Sequence, residues 1–206
     1  TIQIIIKGKN TAGTEKIRFD DVLIAEKSLL ITEVSSPSDN SSASYIELQN
    51  NSNHLLDFNT DTYYLSMQSN GGDWVDVLLT GSLCAGCVTL YAKSSTSFSA
   101  AYGFAPPNAD SLIIGDGNDA YFVFYNGNHS TGAVVDAFGT FNTDGAGALW
   151  EYTNSRAVRD TSTVVGLPIW RSSEWTINIA ASAAMSPGAL ENEFRYFNSI
   201  WHPQAI

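Results

Sequence analysis

The chain has 206 residues, 44% of them hydrophobic and 15% charged, which is enough apolar matter to bury a β-sandwich core and too much for a disordered segment. Its formal net charge of −11, with ten Lys and Arg, argues against a phosphate backbone or an anionic membrane surface as partner, because both need clustered cations. No apolar run is long enough to span a bilayer as a helix, no signal peptide is visible, and Thr1 in place of Met leads us to expect a mature or excised piece of a longer chain.

In chain order, residues 2–7, a turn at 8–13 and residues 16–25 form the pattern of a β-hairpin. Ile17 and Phe19 share one face while Val22 and Ile24 fall in the opposite phase, so a bulge is expected at Asp20 and Asp21. Strands are then expected at residues 29–34, 45–48, 63–67, 74–79, 88–92, 112–114, 121–125, 133–138, 149–152 and 175–179. The segments between them are rich in Ser, Asn, Asp and Gly, the residues that supply turns. One short helix is expected within residues 94–104, ended by Pro106 and Pro107. Leu190, Phe194, Phe197 and Trp201 recur near helical spacing after Ser186-Pro187-Gly188, which reads as a terminal amphipathic helix or a linker. Many short strands with such turns point to an all-β sandwich or barrel.

Cys84 and Cys87 are the only cysteines. A structural zinc wants four such ligands, and a thioredoxin-like CxxC opens a helix, whereas these flanks read as strands of one hairpin. A disulfide across the tight turn Ala85-Gly86 is therefore expected; it closes a very short loop and favours an oxidising compartment.

Catalytic motifs are sparse. His54, His129 and His202 are scattered without metal-ligand spacing, and no nucleophile elbow or phosphate loop occurs. Glu33 and Glu47 lie on strands that are candidate neighbours, as a glycosidase pair would; the alternative has one facing solvent and the other pairing with an Arg. Asp57, Asn59 and Asp61 carry oxygens at alternate positions, as in a calcium loop, but without its glycine and with Gln68 in place of the bidentate Glu. Asp116, Asn118 and Asp119 form a second oxygen-rich turn, and Asp20 with Asp21 a third; Asp and Asn are also ordinary turn formers. Calcium is thus a candidate ligand, and no cofactor is required. Trp74, Tyr63, Tyr64 and Trp201 are candidate rings for stacking on sugars, although a sandwich core also uses Trp and Tyr and is the reading favoured for most of them.

Residues 30–34 (LITEV) and 45–48 (YIEL) resemble the first two strands of bacterial lamin tail domains, and Asp57 and Leu65 match the family's next turn and strand. Residues 116–120 (DGNDA), 132–139 (GAVVDAFG), Trp150-Glu151-Tyr152, Arg159, Ser173-Glu174-Trp175 and Ser186-Pro187-Gly188 continue the match in order, so that the resemblance covers about residues 29–188. It implies an immunoglobulin-like sandwich without catalytic residues, attached in bacteria to secreted nucleases, phosphatases and other surface proteins. The filament role of nuclear lamins does not carry over, since no heptads occur. Residues 16–24 resemble the last strand of jelly-roll carbohydrate-binding domains. The expected organisation is a hairpin at 1–27, which that likeness makes the end of a preceding domain, a sandwich at 28–188 and a helix or linker at 189–206.

The expected function is a non-catalytic interaction or anchoring module of a larger protein, secreted or on a bacterial cell surface. Its partners would be other domains of the same polypeptide, surface proteins or a glycan, with neither nucleic acid nor membrane insertion. The alternatives are a structural subunit joined by strand addition through residues 2–6, and a carbohydrate-binding module.

Overall fold

The computed structural model describes residues 29–112 and 115–178. Chain order runs β1 (Leu29–Ser35), β2 (Tyr45–Asn50), β3 (Leu56–Asp57), β4 (Tyr63–Gln68), β5 (Trp74–Leu78), β6 (Ser82–Leu83), β7 (Val88–Ala92), α1 (Ser95–Tyr102), β8 (Asn108–Ala109), β9 (Ala120–Tyr125), β10 (Ala133–Phe138), β11 (Arg156–Arg159) and β12 (Trp175–Asn178). One sheet has the order β12-β11-β1-β2-β7-β8, a second β10-β9-β4-β5, and β3 pairs with β6. All pairings are antiparallel except the short β7–β8 ladder. The fold is predominantly β, with open sheets, consistent with the expected sandwich type.

The side-chain period of two sends alternate residues to opposite faces. Leu29, Ile31, Val34, Ile46 and Leu48 of the six-stranded sheet meet Leu65, Tyr121, Val123 and Phe138 of the four-stranded sheet in one continuous core. A second, smaller cluster lies on the outer face of the six-stranded sheet, where Phe98 and Tyr102 of α1 cover Tyr45, Leu90 and Ala92. α1 starts where the Ser94 hydroxyl accepts from the Ser97 N–H at 3.2 Å, and it ends at Gly103, whose φ of 81° suits a residue without Cβ.

Two bulges face each other across the core. β1 shifts register between Ile31 and Glu33, and β10 between Val134 and Asp136. β11 pairs with β1 at Glu33–Ser35 and not at Ile31. Side chains take the missing strand's place: the Ile31 N–H donates to Asp136 Oδ2 at 2.7 Å, and the Ile31 carbonyl accepts from Arg159 Nη1 at 3.0 Å. Asp136 and Arg159 pair with each other at 2.6 Å, while Arg159 Nη2 reaches Glu174 at 2.8 Å and the guanidinium lies over Trp175. A buried ion pair is tolerated when further hydrogen bonds offset its desolvation, as the two Nη groups of Arg159 and both oxygens of Asp136 have here.

Several sequence expectations change. Residues 149–152 form no strand: Leu149 and Trp150 lie in a turn, and Trp150 and Tyr152 point inward while Leu149 is 79% exposed. The last strand pair is instead β11 with β12, and the short β3, β6 and β8 are additional. The strands flanking the cysteines are not a hairpin, since β5 and β7 belong to different sheets and the CxxC turn lies on the crossing. Glu33 and Glu47 are indeed opposite in register, but neither faces solvent. Glu33 accepts from the Tyr45 hydroxyl at 2.5 Å and pairs with Arg156 at 3.0 Å, and Glu47 accepts from the Thr32 hydroxyl at 2.6 Å. The expected hairpin with Asp20 and Asp21, residues 113–114, and the tail with Trp201 and His202 lie outside the described residues.

Candidate functional site

The outer face of the four-stranded sheet carries a group of rings and polar side chains brought together by two loops. Ser66 on β4 is opposite Asp76 on β5, and its hydroxyl donates to Asp76 Oδ1 at 2.6 Å. The loop between β9 and β10 crosses β4 and delivers His129 to the same carboxylate. His129 Nδ1 lies 2.6 Å from Asp76 Oδ2, and the His129 N–H donates to Oδ1 at 3.3 Å. The imidazole stacks on Trp74 with ring centroids 4.8 Å apart and planes 2° from parallel. Its Nε2 is 2.9 Å from the exposed Ser130 hydroxyl.

This loop is preshaped. Asn128 accepts from the Ser130 N–H through its side chain, and from the Thr131 and Gly132 N–H groups through its carbonyl. A Cβ at Gly132 would come within 2.3 Å of the Gly127 carbonyl, so the loop closes only around glycine.

The second loop follows β10. Gln68 is buried and makes two bonds to Asn142: Gln68 Oε1 accepts from its N–H at 2.8 Å and Nε2 donates to its Oδ1 at 2.9 Å. That clasp holds Phe141 flat on Phe122, 4.0 Å between centroids. Phe141 remains 36% exposed. Phe122 and Phe124, outward on β9, are buried under Trp74 and Phe141, which is why β9 is apolar on both faces.

Burial pushes the Asp76 carboxyl up, and the hydrogen bonds from Ser66 and His129 more than offset this, holding it below the usual carboxylate range. The order Asp76, His129, Ser130 is that of a proton relay to a hydroxyl. The N–H groups of residues 129–132 are each engaged by Asp76 or Asn128, which fixes the orientation of the imidazole.

Of the candidate stacking rings, Trp74 belongs to this face. Tyr64 is half-buried on β4, and Tyr63 is buried against Phe58 and Tyr125, where no ligand reaches it. Asp57 Oδ1 accepts from the N–H and side-chain amide of Asn59, and its carbonyl accepts from the Asp61 N–H, which makes this segment a self-bonded turn. Asp119 is buried, accepting from the N–H groups of Asn70 and Asp116, and burial raises its carboxyl. Asn118 donates to Asp144 at 3.3 Å. Among the described residues no group of three or more His, Cys, Asp or Glu is placed to hold a metal ion. Cys84 and Cys87 form the expected disulfide, with Cα atoms 5.2 Å apart. The Asn50 amide ties that turn down by donating to the Leu83 and Cys84 carbonyls.

The meeting of Asp76 with His129 had no sequence signal, since 53 residues separate them. Only the alternation that puts Ser66 and Asp76 on one face was readable. No family model matches the chain, and no curated protein matches it.

Proposed function

We propose that the chain is a non-catalytic interaction module of a larger secreted bacterial protein, an immunoglobulin-like sandwich of the lamin tail type that engages neighbouring domains or surface proteins. The lamin tail reading is supported by where its motif residues converge. Asp136, Arg159 and Glu174 form one buried ionic chain, and Trp150 and Trp175 both pack on Phe138. The disulfide supports an oxidising compartment.

One observation carries the interaction reading: Phe141, Trp74 and His129 form a partly exposed ring cluster, with Phe141 and His129 held on loops that are pinned before any partner arrives. Rigid rings of this kind provide contact area at little cost in conformational entropy. The test is affinity for the flanking domains of its own polypeptide, measured by calorimetry with wild type and Phe141→Ser. A loss of about tenfold or more is expected for a central ring. Equal affinity in wild type and variant would remove this face from the interface.

The partial exposure of Phe141 beside Trp74, with the exposed Ser130 hydroxyl on the His129 that stacks on Trp74, also favours a second reading, stacking on a glycan. Quenching of tryptophan fluorescence by soluble oligosaccharides, lost in Phe141→Ser, would separate it from the first.

A further inference from the structure

β5 is the outermost strand of the four-stranded sheet, and among the described residues no strand lies on its other side. In an antiparallel pair, alternate residues bond to the neighbour and the rest turn their N–H and C=O groups away. The Leu79 N–H donates to the Tyr63 carbonyl and the Ser69 N–H to the Asp73 carbonyl, so Val75 and Val77 share that phase and bond to β4. The N–H and C=O groups of Trp74, Asp76 and Leu78 therefore point away from the sheet. The rim is apolar as well. Val75 and Val77 pack on the inter-sheet core yet stay half-buried, unlike Met67 and Leu65 opposite them on β4, and Leu78 is 46% exposed. Sheet edges are commonly closed by a bulge, a proline, a lysine or a covering loop. β5 pairs with β4 without a register shift and contains neither Pro nor Lys. Its one charge, Asp76, is turned onto the outer face and held there by Ser66 and His129. The opposite edge of the same sheet is covered: a Cβ at Gly166 would lie 2.5 Å from the Val135 carbonyl of β10, and the Leu167 N–H donates to Asp136 at 3.1 Å.

We propose that the β5 edge accepts an extended, lysine-bearing segment of a partner polypeptide as a fifth strand of this sheet. Main-chain bonds to Trp74, Asp76 and Leu78 supply the pairing. Alternate side chains of the added strand complete the burial of Val75 and Val77 on one face and pack beside Trp74 and Leu78 on the other. Charge selects the occupant. Asp73 is exposed where β5 begins, and Asp76 lies within it. The described cations are Lys93, Arg156, Arg159 and Arg171, and none lies on the four-stranded sheet, in a chain whose formal net charge is −11. Opposite charges across a strand pair stabilise it and like charges do not. A second copy of this chain would set Asp73 and Asp76 against the same two carboxylates, so a basic strand fits the edge better. The proposal rests on the interaction reading for the existence of a partner, and deepens it by naming an extended basic segment as what is engaged.

The test is an NMR titration of the full chain with the capped synthetic peptide Thr-Val-Lys-Val-Thr-Val-Lys. Two further peptides serve as comparisons: one with Glu in place of both Lys, and one with Pro-Pro in place of the central Val-Thr, which cannot pair on either edge. The amides of Trp74, Asp76 and Leu78 should shift and exchange on the order of tenfold or more slower with the first peptide. The Glu peptide should bind about tenfold or more weakly at low salt, and the Pro-Pro peptide should leave these amides unchanged. Leu78→Pro removes an N–H that the sheet itself does not use, so it should abolish the shifts while the thermal melt persists, whereas Leu78→Ala keeps the donor and should retain them. The Pro-Pro peptide decides the same point without altering the protein. Absence of the shifts, equal binding of the Pro-Pro peptide, or binding that survives Leu78→Pro in the folded variant would overturn the proposal. Shifts confined to His129 and Phe141 would place the peptide on the ring cluster, which overturns the edge and leaves the interaction reading standing. A dimer seen in sedimentation and dissolved by Leu78→Pro would assign the edge to a second copy, and that also overturns it. Phe141→Ser against the flanking domains tests the ring cluster separately, so either surface can fail alone.

Discussion

Replacing Asp136 with Ala tests whether the buried ionic chain stands in for a missing strand. The substitution removes a fully buried carboxylate that accepts from the Ile31 N–H at 2.7 Å, the Leu167 N–H at 3.1 Å and Arg159 at 2.6 Å. Removing one partner of a buried pair costs about 3–5 kcal/mol, and a buried donor left unmade costs about 1–3 kcal/mol. These losses overlap, since Arg159 keeps Glu174, the Ile31 carbonyl and the Trp175 ring. A net loss of about 4–6 kcal/mol is expected, most of the roughly 5–15 kcal/mol that a domain has. Asp136→Asn keeps the shape and one acceptor, and should lose about half as much. The assay is urea unfolding of the full chain followed by tryptophan fluorescence, with Arg159→Met and the double variant completing a thermodynamic cycle. The coupling should be about 2 kcal/mol or more. An Asp136→Ala loss under about 1 kcal/mol would show that the bulged backbone at Ile31 does not depend on the pair, and would refute the reasoning.

Further expectations concern the loops and the turn. His129→Ala should free the β9–β10 loop at a cost of about 1 kcal/mol and raise the exposure of Trp74, seen as a red shift in its emission; an unchanged spectrum would mean that the stack is not occupied in solution. The lowered carboxyl of Asp76 contributes stability that is complete above its unfolded value of about 3.9 and is lost as pH falls through its lower folded value. Asp76→Asn should therefore flatten the acid limb of the stability–pH curve below about pH 4, and a limb of unchanged steepness would contradict this. Gly71 has a φ of 70°, and a Cβ there would approach the Thr143 backbone N to 2.6 Å, so Gly71→Ala should cost about 1–3 kcal/mol and loosen Phe141; near-neutral stability in the melt would count against the clasp. Opening the Cys84–Cys87 loop with Cys84→Ser and Cys87→Ser should cost no more than about 2 kcal/mol, because so short a loop removes little chain entropy. Alkylation without reductant should add no label to the wild type.

Much of the architecture was readable from local pattern. Residues 88–92 and 133–138 were expected as strands with the bounds they have, because alternation flanked by turn residues is a local signal. The short helix was expected within residues 94–104, ahead of Pro106 and Pro107, and runs Ser95–Tyr102, and the disulfide was legible from the spacing of two cysteines around a tight turn. Residues 149–152 misled, because Trp150 and Tyr152 alternate like a strand while serving as core anchors outside any strand. Arg156–Arg159 was missed for the opposite reason: two arginines look like solvent-facing residues until Glu33 and Asp136 are brought beside them.

Composition and periodicity thus determined the class of fold, because an all-β alternation and its turns are properties of near neighbours in the chain. Which residues became the candidate surface was decided only by tertiary structure. Asp76 and His129, or Gln68 and Asn142, meet through loops crossing a sheet, and a pair separated by 53 or 74 residues leaves no periodic trace. The same holds for Glu33 and Glu47: the sequence placed two carboxylates on candidate neighbouring strands, and Arg156, which neutralises Glu33, came from β11, the neighbour on the other edge of β1 that carried no strand signal.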